Sequence, residues 1–216
     1  MPEIPQTFAG LKEQERKTRK RIIVDAVERI YSRKAFDKVS MREIAAEAGI
    51  AVSSIYRYFP DQQSLFVEAF IRGTNEIIRL ADDHIRNGKI QNLSDFARIY
   101  VDFLIANDHY FCMMTHFMID GGLSGKPIER LNKAARSVLD QFERVLKNSG
   151  INIDARLYSH VLFASLNGIL ISFRNYPGRE PEDVKRHMER LAEMAAGLLQ
   201  GIGKNAAPNV DDCHCD

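Results

Sequence analysis

Apolar residues recur along this chain at three- and four-residue intervals, and no segment makes a convincing every-second-residue strand, so helices are predicted throughout. The first stripe is Ile22, Ile23, Ala26, Val27, Ile30 and Tyr31, on a helix from about Lys17 to Arg33. Ahead of it, Glu13–Arg21 is so dense in charge that it must be solvated. Ser40-Met41-Arg42-Glu43 has the form of a capping box, in which hydroxyl and carboxylate satisfy the amides a helix start leaves unpaired. Ile44, Ala45 and Ala48 give this short helix one apolar face, and Gly49 ends it. Val52 to Tyr58 makes a second short helix with Ile55 and Phe59 facing inward. Pro60 breaks that helix and Asp61 caps the next.

A long amphipathic helix from Gln62 to about Arg86 carries Leu65, Phe66, Ala69, Phe70, Ile77, Leu80 and Ile85. After the Asn87-Gly88 turn, helices are expected at Asp95–Ala106 and Asp108–Ile119, and Gly121–Pro127 is the clearest loop. A helix then runs from Ile128 to a stop near Gly150. Asp154 caps the next, which reaches about Tyr176, and Pro181 opens a last helix ending near Gly201. The result is an all-α fold of about nine helices. Residues 1–62 form an N-terminal arm and a three-helix helix-turn-helix head, 63–203 a helical body, and 204–216 a tail.

Charge sharpens this division. Of the 216 residues 45% are apolar and 27% charged, and the net charge is +1. Residues 1–60 carry twelve Lys and Arg against eight Asp and Glu, about +4, which leaves about −3 for the rest. Positive charge on the head is what phosphate binding requires. Neither a membrane span nor a secretory signal is expected, so the cytoplasm is the expected compartment. Cys112, Cys213 and Cys215 suit no disulfide framework, and the Cys213-His214-Cys215 tail lacks the second cluster a structural zinc site needs. No cofactor is expected.

The run Ser40-Met41-Arg42-Glu43-Ile44-Ala45-Ala46-Glu47-Ala48-Gly49, continued by Ile50-Ala51-Val52-Ser53-Ser54-Ile55-Tyr56-Arg57-Tyr58-Phe59, resembles the signature of the TetR (tetracycline repressor) family. The likeness is close from about Lys17 to Phe70. It implies a homodimeric transcriptional repressor that grips a palindromic operator and releases it when the body binds a small molecule. The chain departs from the family pattern at Ala35, where Gly is usual, at Ala51, where Ser or Thr commonly caps the recognition helix, and at Gln62, where Lys is frequent. Independently of the likeness, the second short helix suits the major groove. Ser53, Ser54 and Arg57 are polar on its outward side, and Arg57 has the geometry to pair with a guanine. Tyr56 and Tyr58 either contact the DNA backbone or pack as aromatics with wet hydroxyls. Ser40 and Arg42 open the preceding helix, whose free amides favour a phosphate. Lys17, Arg19 and Lys20 extend the basic surface along the arm.

For the body, the likeness implies an inducer site and a dimer through the last two helices. The segment 158–176 is apolar on nearly all sides and brings small Ala164, Ser165 and Gly168 together. The last helix presents Val184, Met188, Leu191, Ala195, Leu198 and Leu199, for a symmetric interface or for an internal core. His109, Tyr110, Met113, Met114 and Phe117, with His84, Phe103, Asn167 and Phe173, have the soft, mostly apolar character of a ligand cavity. No metal site is expected from His109 and His116, two turns apart in that run. A body that docks a protein partner instead of a small molecule is the alternative, and no catalytic constellation supports an enzyme.

Overall fold

Most helix ends are set by local caps and turns. The computed structural model describes residues 7–34, 38–120, 125–152 and 154–205. Among these, the regular structure is α1 (Phe8–Tyr31), α2 (Met41–Ala48), α3 (Val52–Tyr56), α4 (Gln62–Arg86), α5 (Leu93–Ala106), α6 (Asp108–Asp120), α7 (Lys126–Asn148), α8 (Ala155–Phe173) and α9 (Pro181–Asn205). The architecture is all-α, as expected. No helix among the described residues is long and apolar enough to cross a membrane. The expectations at Ala35, at Gly121–Ser124 and in the Cys213-His214-Cys215 tail fall outside the described residues.

Several ends differ from the sequence reading. α1 begins at Phe8, where the Thr7 hydroxyl caps it by accepting the Gly10 amide at 3.1 Å. Its first turns are solvated, as their charge requires, but still helical. Straight-chain Lys, Glu and Arg favour helix without burial, and the Glu15–Arg19 pair at 2.5 Å adds support one turn apart. α3 stops at Tyr56 because the Tyr58 and Phe59 amides both turn back to the Ile55 carbonyl, at 2.8 and 2.9 Å, ahead of Pro60. Asp154 precedes α8 in the left-handed region (φ 52°) and makes no side-chain cap bond, contrary to its expected capping role. α8 ends at Phe173, short of Tyr176, and α9 continues beyond Gly201.

The chain forms two packed units, one from residues 1–73 with 107–131 and the other from 74–106 with 132–216. In the first, Ile23 and Val27 of α1, Ile44 of α2, Ile55 of α3 and Leu65 and Phe66 of α4 are all buried. Tyr31 packs on Phe66 with ring centroids 4.5 Å apart. Ion pairs fasten α1 and the turn after it to α2, with Arg29 to Glu47 at 2.6 Å and Lys34 to Glu43 at 2.5 Å. Arg72 of α4 grips Asp25 and Glu28 of α1, its Nε donating to Glu28 Oε1 at 2.7 Å. α6 belongs to this unit too: Tyr110 stacks on Phe70 at 5.2 Å, and Phe117 meets Phe70 edge-on at 5.5 Å. The Tyr110 ring also lies against Gly73, so that a Cβ there would meet three ring carbons, all closer than 3.0 Å.

In the second unit Phe96, Tyr100, Phe142 and Phe163 pack as an aromatic cluster, with centroids 4.8 to 6.4 Å apart. α9 packs along both α5 and α8. The Ser94 hydroxyl donates to the Glu193 carbonyl at 3.3 Å. Val184, Met188 and Leu199 of α9 are buried within the chain, while Met194, Leu198 and Ile202 face outward. Of the stripe read from sequence as a candidate interface, only Leu198 is exposed, and Leu191 and Ala195 are half-buried. Both faces of α9 carry apolar residues, and periodicity alone could not say which one the chain covers.

Candidate nucleic-acid interface

α2, the left-handed turn at Gly49 (φ 67°) and α3 make the helix-turn-helix. Ser40 completes the capping box: its hydroxyl accepts the Glu43 amide at 3.3 Å, and its own amide donates to the Glu43 carboxylate at 2.9 Å. The Lys34 ammonium, and after it the Ser40 amide and hydroxyl, hold the Glu43 carboxyl down to about 2. Glu47 lies below the ordinary carboxylate range because Arg29 donates to it. Arg29, Arg33 and Lys34 are therefore engaged with carboxylates inside the head. Arg42 and Arg57 are exposed and make no ion pair among the described residues.

α3 divides its side chains cleanly. Ile55 is fully buried and Phe59 nearly so, while Ser53, Tyr56 and Arg57 are exposed and Ser54 and Tyr58 half-buried. No side chain caps α3, since Ala51 has no acceptor to offer the free amides. Gln62, which stands where a phosphate-contacting Lys is frequent, donates to the Val39 carbonyl at 2.8 Å and so holds the segment leading into α2. The Lys20 ammonium lies 5.4 Å from the centre of the Phe59 ring. Arg19 donates to Glu15 at 2.5 Å, and the neighbouring Tyr58 side chain, and after it Glu15, raise Arg19 above the ordinary arginine value.

Sequence reasoning missed two residues here. Lys12 and Arg16 line an open cleft together with Glu15, Arg19, Arg57 and Tyr58. Their spacing would have placed them on one face, had the charged arm been read as helix from Phe8.

The residues expected at a ligand cavity fall in both units. Tyr110, Met113 and Met114 are buried and His109 and Phe117 half-buried on α6, where Tyr110 and Phe117 meet Phe70. Phe103 and Asn167 are buried in the second unit. Asn167 donates to the Phe163 carbonyl at 2.8 Å and to the Tyr100 hydroxyl at 3.4 Å, while its buried Oδ1 has no hydrogen-bond partner among the described residues. Phe173 meets His187 edge-on at 5.1 Å near the end of α8, and the His84 Nδ1 lies 2.9 Å from the Leu80 carbonyl.

Comparison with known proteins agrees with this geometry. Residues 23–69 match the family model of the bacterial regulatory proteins, tetR family. A segment of 65 residues (30% of this chain) is 42% identical to the HTH-type transcriptional repressor KstR of Mycobacterium tuberculosis and covers 29% of its length. An uncharacterized HTH-type transcriptional regulator of Haemophilus influenzae is 42% identical over 55 residues, 26% of this chain and 27% of its own. The chain thus matches less than a third of the length of either curated relative. Solved structures extend the likeness of fold. A transcriptional regulator of Rhodococcus superposes with TM-score 0.68 at 16% identity, over 84% of this chain and 96% of its own. The FadR regulator of Bacillus subtilis, solved with stearoyl-CoA, superposes with TM-score 0.64 at 15% identity, over 81% and 96%. Over residues 23–69 the chain is similar to the bacterial regulatory proteins of the tetR family, and beyond them the likeness is one of fold.

Proposed function

We propose that this protein is a homodimeric transcriptional repressor whose helix-turn-helix binds a near-palindromic operator and whose body binds an apolar ligand that releases it. The observation that carries the DNA reading is the outward face of α3, where Ser53, Tyr56 and Arg57 stand exposed over a core closed by Ile55 and Phe59. Ser53, Ser54 and Tyr56 meet the duplex from α3, and Ser40 and Arg42 meet it from the start of α2. Tyr58, half-buried at the end of α3, lines the adjoining cleft with Arg19 and meets the duplex backbone beside them.

Two observations support the ligand. The buried Asn167 Oδ1 is a polar group set among aromatics, the arrangement that orients a mostly apolar molecule. The similarly folded FadR was solved with stearoyl-CoA, which makes long-chain acyl groups the first class to try. Selection from a random duplex pool with the full chain should enrich a near-palindrome. Tyr56→Ala should lose preference for it without change in helical content or oligomeric state. Long-chain acyl-CoA thioesters, added to the complex, should raise the melting temperature of the protein and release the duplex. Enrichment of no sequence would reject the DNA reading, and retained binding at saturating acyl-CoA would reject that ligand class.

A further inference from the structure

Arg57 has the chemistry to read a guanine, but its place in the fold points elsewhere. It is the C-terminal cap of a five-residue helix, the end opposite the one that a recognition helix turns toward base edges. Beside it lies a solvent-open cleft of about 330 Å³ lined by Lys12, Glu15, Arg16, Arg19, Arg57 and Tyr58. Four cations share this cleft with one carboxylate, and that carboxylate is engaged: Glu15 accepts from Arg19 at 2.5 Å. The Tyr58 side chain lines the same cleft beside Arg19. Lys12 and Arg57 have no ion pair among the described residues, and Arg16 has only a 4.0 Å contact with Glu13.

Cations gathered in this way repel one another unless an anion enters between them. We infer that the cleft receives a backbone phosphate of the bound duplex, so that the projecting turns of α1 and Arg57 clamp the strand and do not read its sequence. The inference rests on the DNA-binding reading above and assigns Arg57 a different task within it. Lys12, Arg16 and Arg19 lie one turn apart on a single face of α1, which exists only because that helix starts at Phe8. Guanidinium forks suit phosphate oxygens, and contacts of this kind fix register and add salt dependence without sequence preference.

The test uses the full chain, the duplex that the wild type selects from a random pool, and a scrambled duplex of the same composition. Fluorescence anisotropy over a range of KCl concentrations gives affinity and salt slope for each. Lys12→Gln, Arg16→Gln and Arg57→Gln should each weaken both duplexes by the same factor. Each should also lower the log–log salt slope by about one. Selection repeated with Arg57→Gln should return the wild-type sequence. A selected sequence relaxed at one base pair, with the slope unchanged, would show that Arg57 reads a base and would overturn the clamp. Unchanged affinity and slope for Lys12→Gln and Arg16→Gln would remove the cleft while leaving DNA binding intact. Failure of the wild type to enrich any sequence would instead remove the reading beneath it.

Discussion

Ser40 and Glu43 show how much one short motif does in the head. Ser40 caps α2, and Glu43 answers it while also accepting from Lys34 in the turn after α1. Ser40→Ala leaves the Glu43 amide without its acceptor and should cost about 1 kcal/mol in urea unfolding. Glu43 ties this corner to pH. Its carboxyl is held at about 2 in the folded chain, against an ordinary value of 4.5, so its contribution is complete above 4.5 and is lost as pH falls toward 2. Urea midpoints of the wild type and of Glu43→Gln should therefore differ most near neutral pH and converge on acidification through that window. A gap that stays constant down to the lower limit would mean that Glu43 is not held in this way. Arg57 marks the limit of residue-scale reading. Its type was legible as a candidate for DNA contact, but the cations beside it come from α1 and only the fold brings them there.

α4 is the element on which the first unit is assembled. It meets α1 through Arg72 and through Phe66 on Tyr31, and it meets α6 through Phe70 and Gly73. Gly73 is the tightest of these contacts. Alanine ordinarily stabilises a helix interior by about 1 kcal/mol over glycine. Here a Cβ would collide with the buried Tyr110 ring, and overpacking of that kind costs about 1–3 kcal/mol. Gly73→Ala should thus destabilise the wild type. In a Tyr110→Ala background, itself weakened by the lost ring, the same change should become neutral or stabilising. A double-mutant cycle in urea checks the change of sign, and purely additive effects would reject the contact. Such a contact was not legible in advance: Tyr110 reads as apolar lining in sequence, and nothing near it says that its ring lies across glycine. Helices bounded by caps were legible, as at Ser40 and Gly49. The first turns of α1 were not, because a solvated helix leaves no apolar stripe.

At the scale of the whole molecule, the outward surface of the second unit is what the proposed dimer would have to use. On α8, Leu157, Val161, Ala164, Gly168 and Ile171 follow one another at four- and three-residue steps, and all five are exposed. On α9, Met194, Leu198 and Ile202 are exposed beside Gly197 and Gly201. Covering such half-exposed side chains is worth about 1 kcal/mol each, and in the proposed dimer a second copy of the same surface would cover both sets by symmetry. Small residues at Ala164 and Gly168 let paired helices approach to about 8–10 Å. Gly168 allows the proposed interface to be tested apart from the fold of the chain, because a Cβ there meets nothing within 4 Å. Gly168→Arg should leave helical content and the unfolding midpoint of the isolated chain unchanged, while blocking close approach of a partner. Sedimentation velocity at micromolar concentration should show a dimer for the wild type and a monomer for the variant. Binding to a palindromic duplex should fall to the level of a single half-site, because the second recognition helix is no longer tethered and its effective concentration is lost. If Gly168→Arg remained dimeric with full operator affinity, the pairing surface would lie elsewhere, and the exposed stripe of α8 would need another partner.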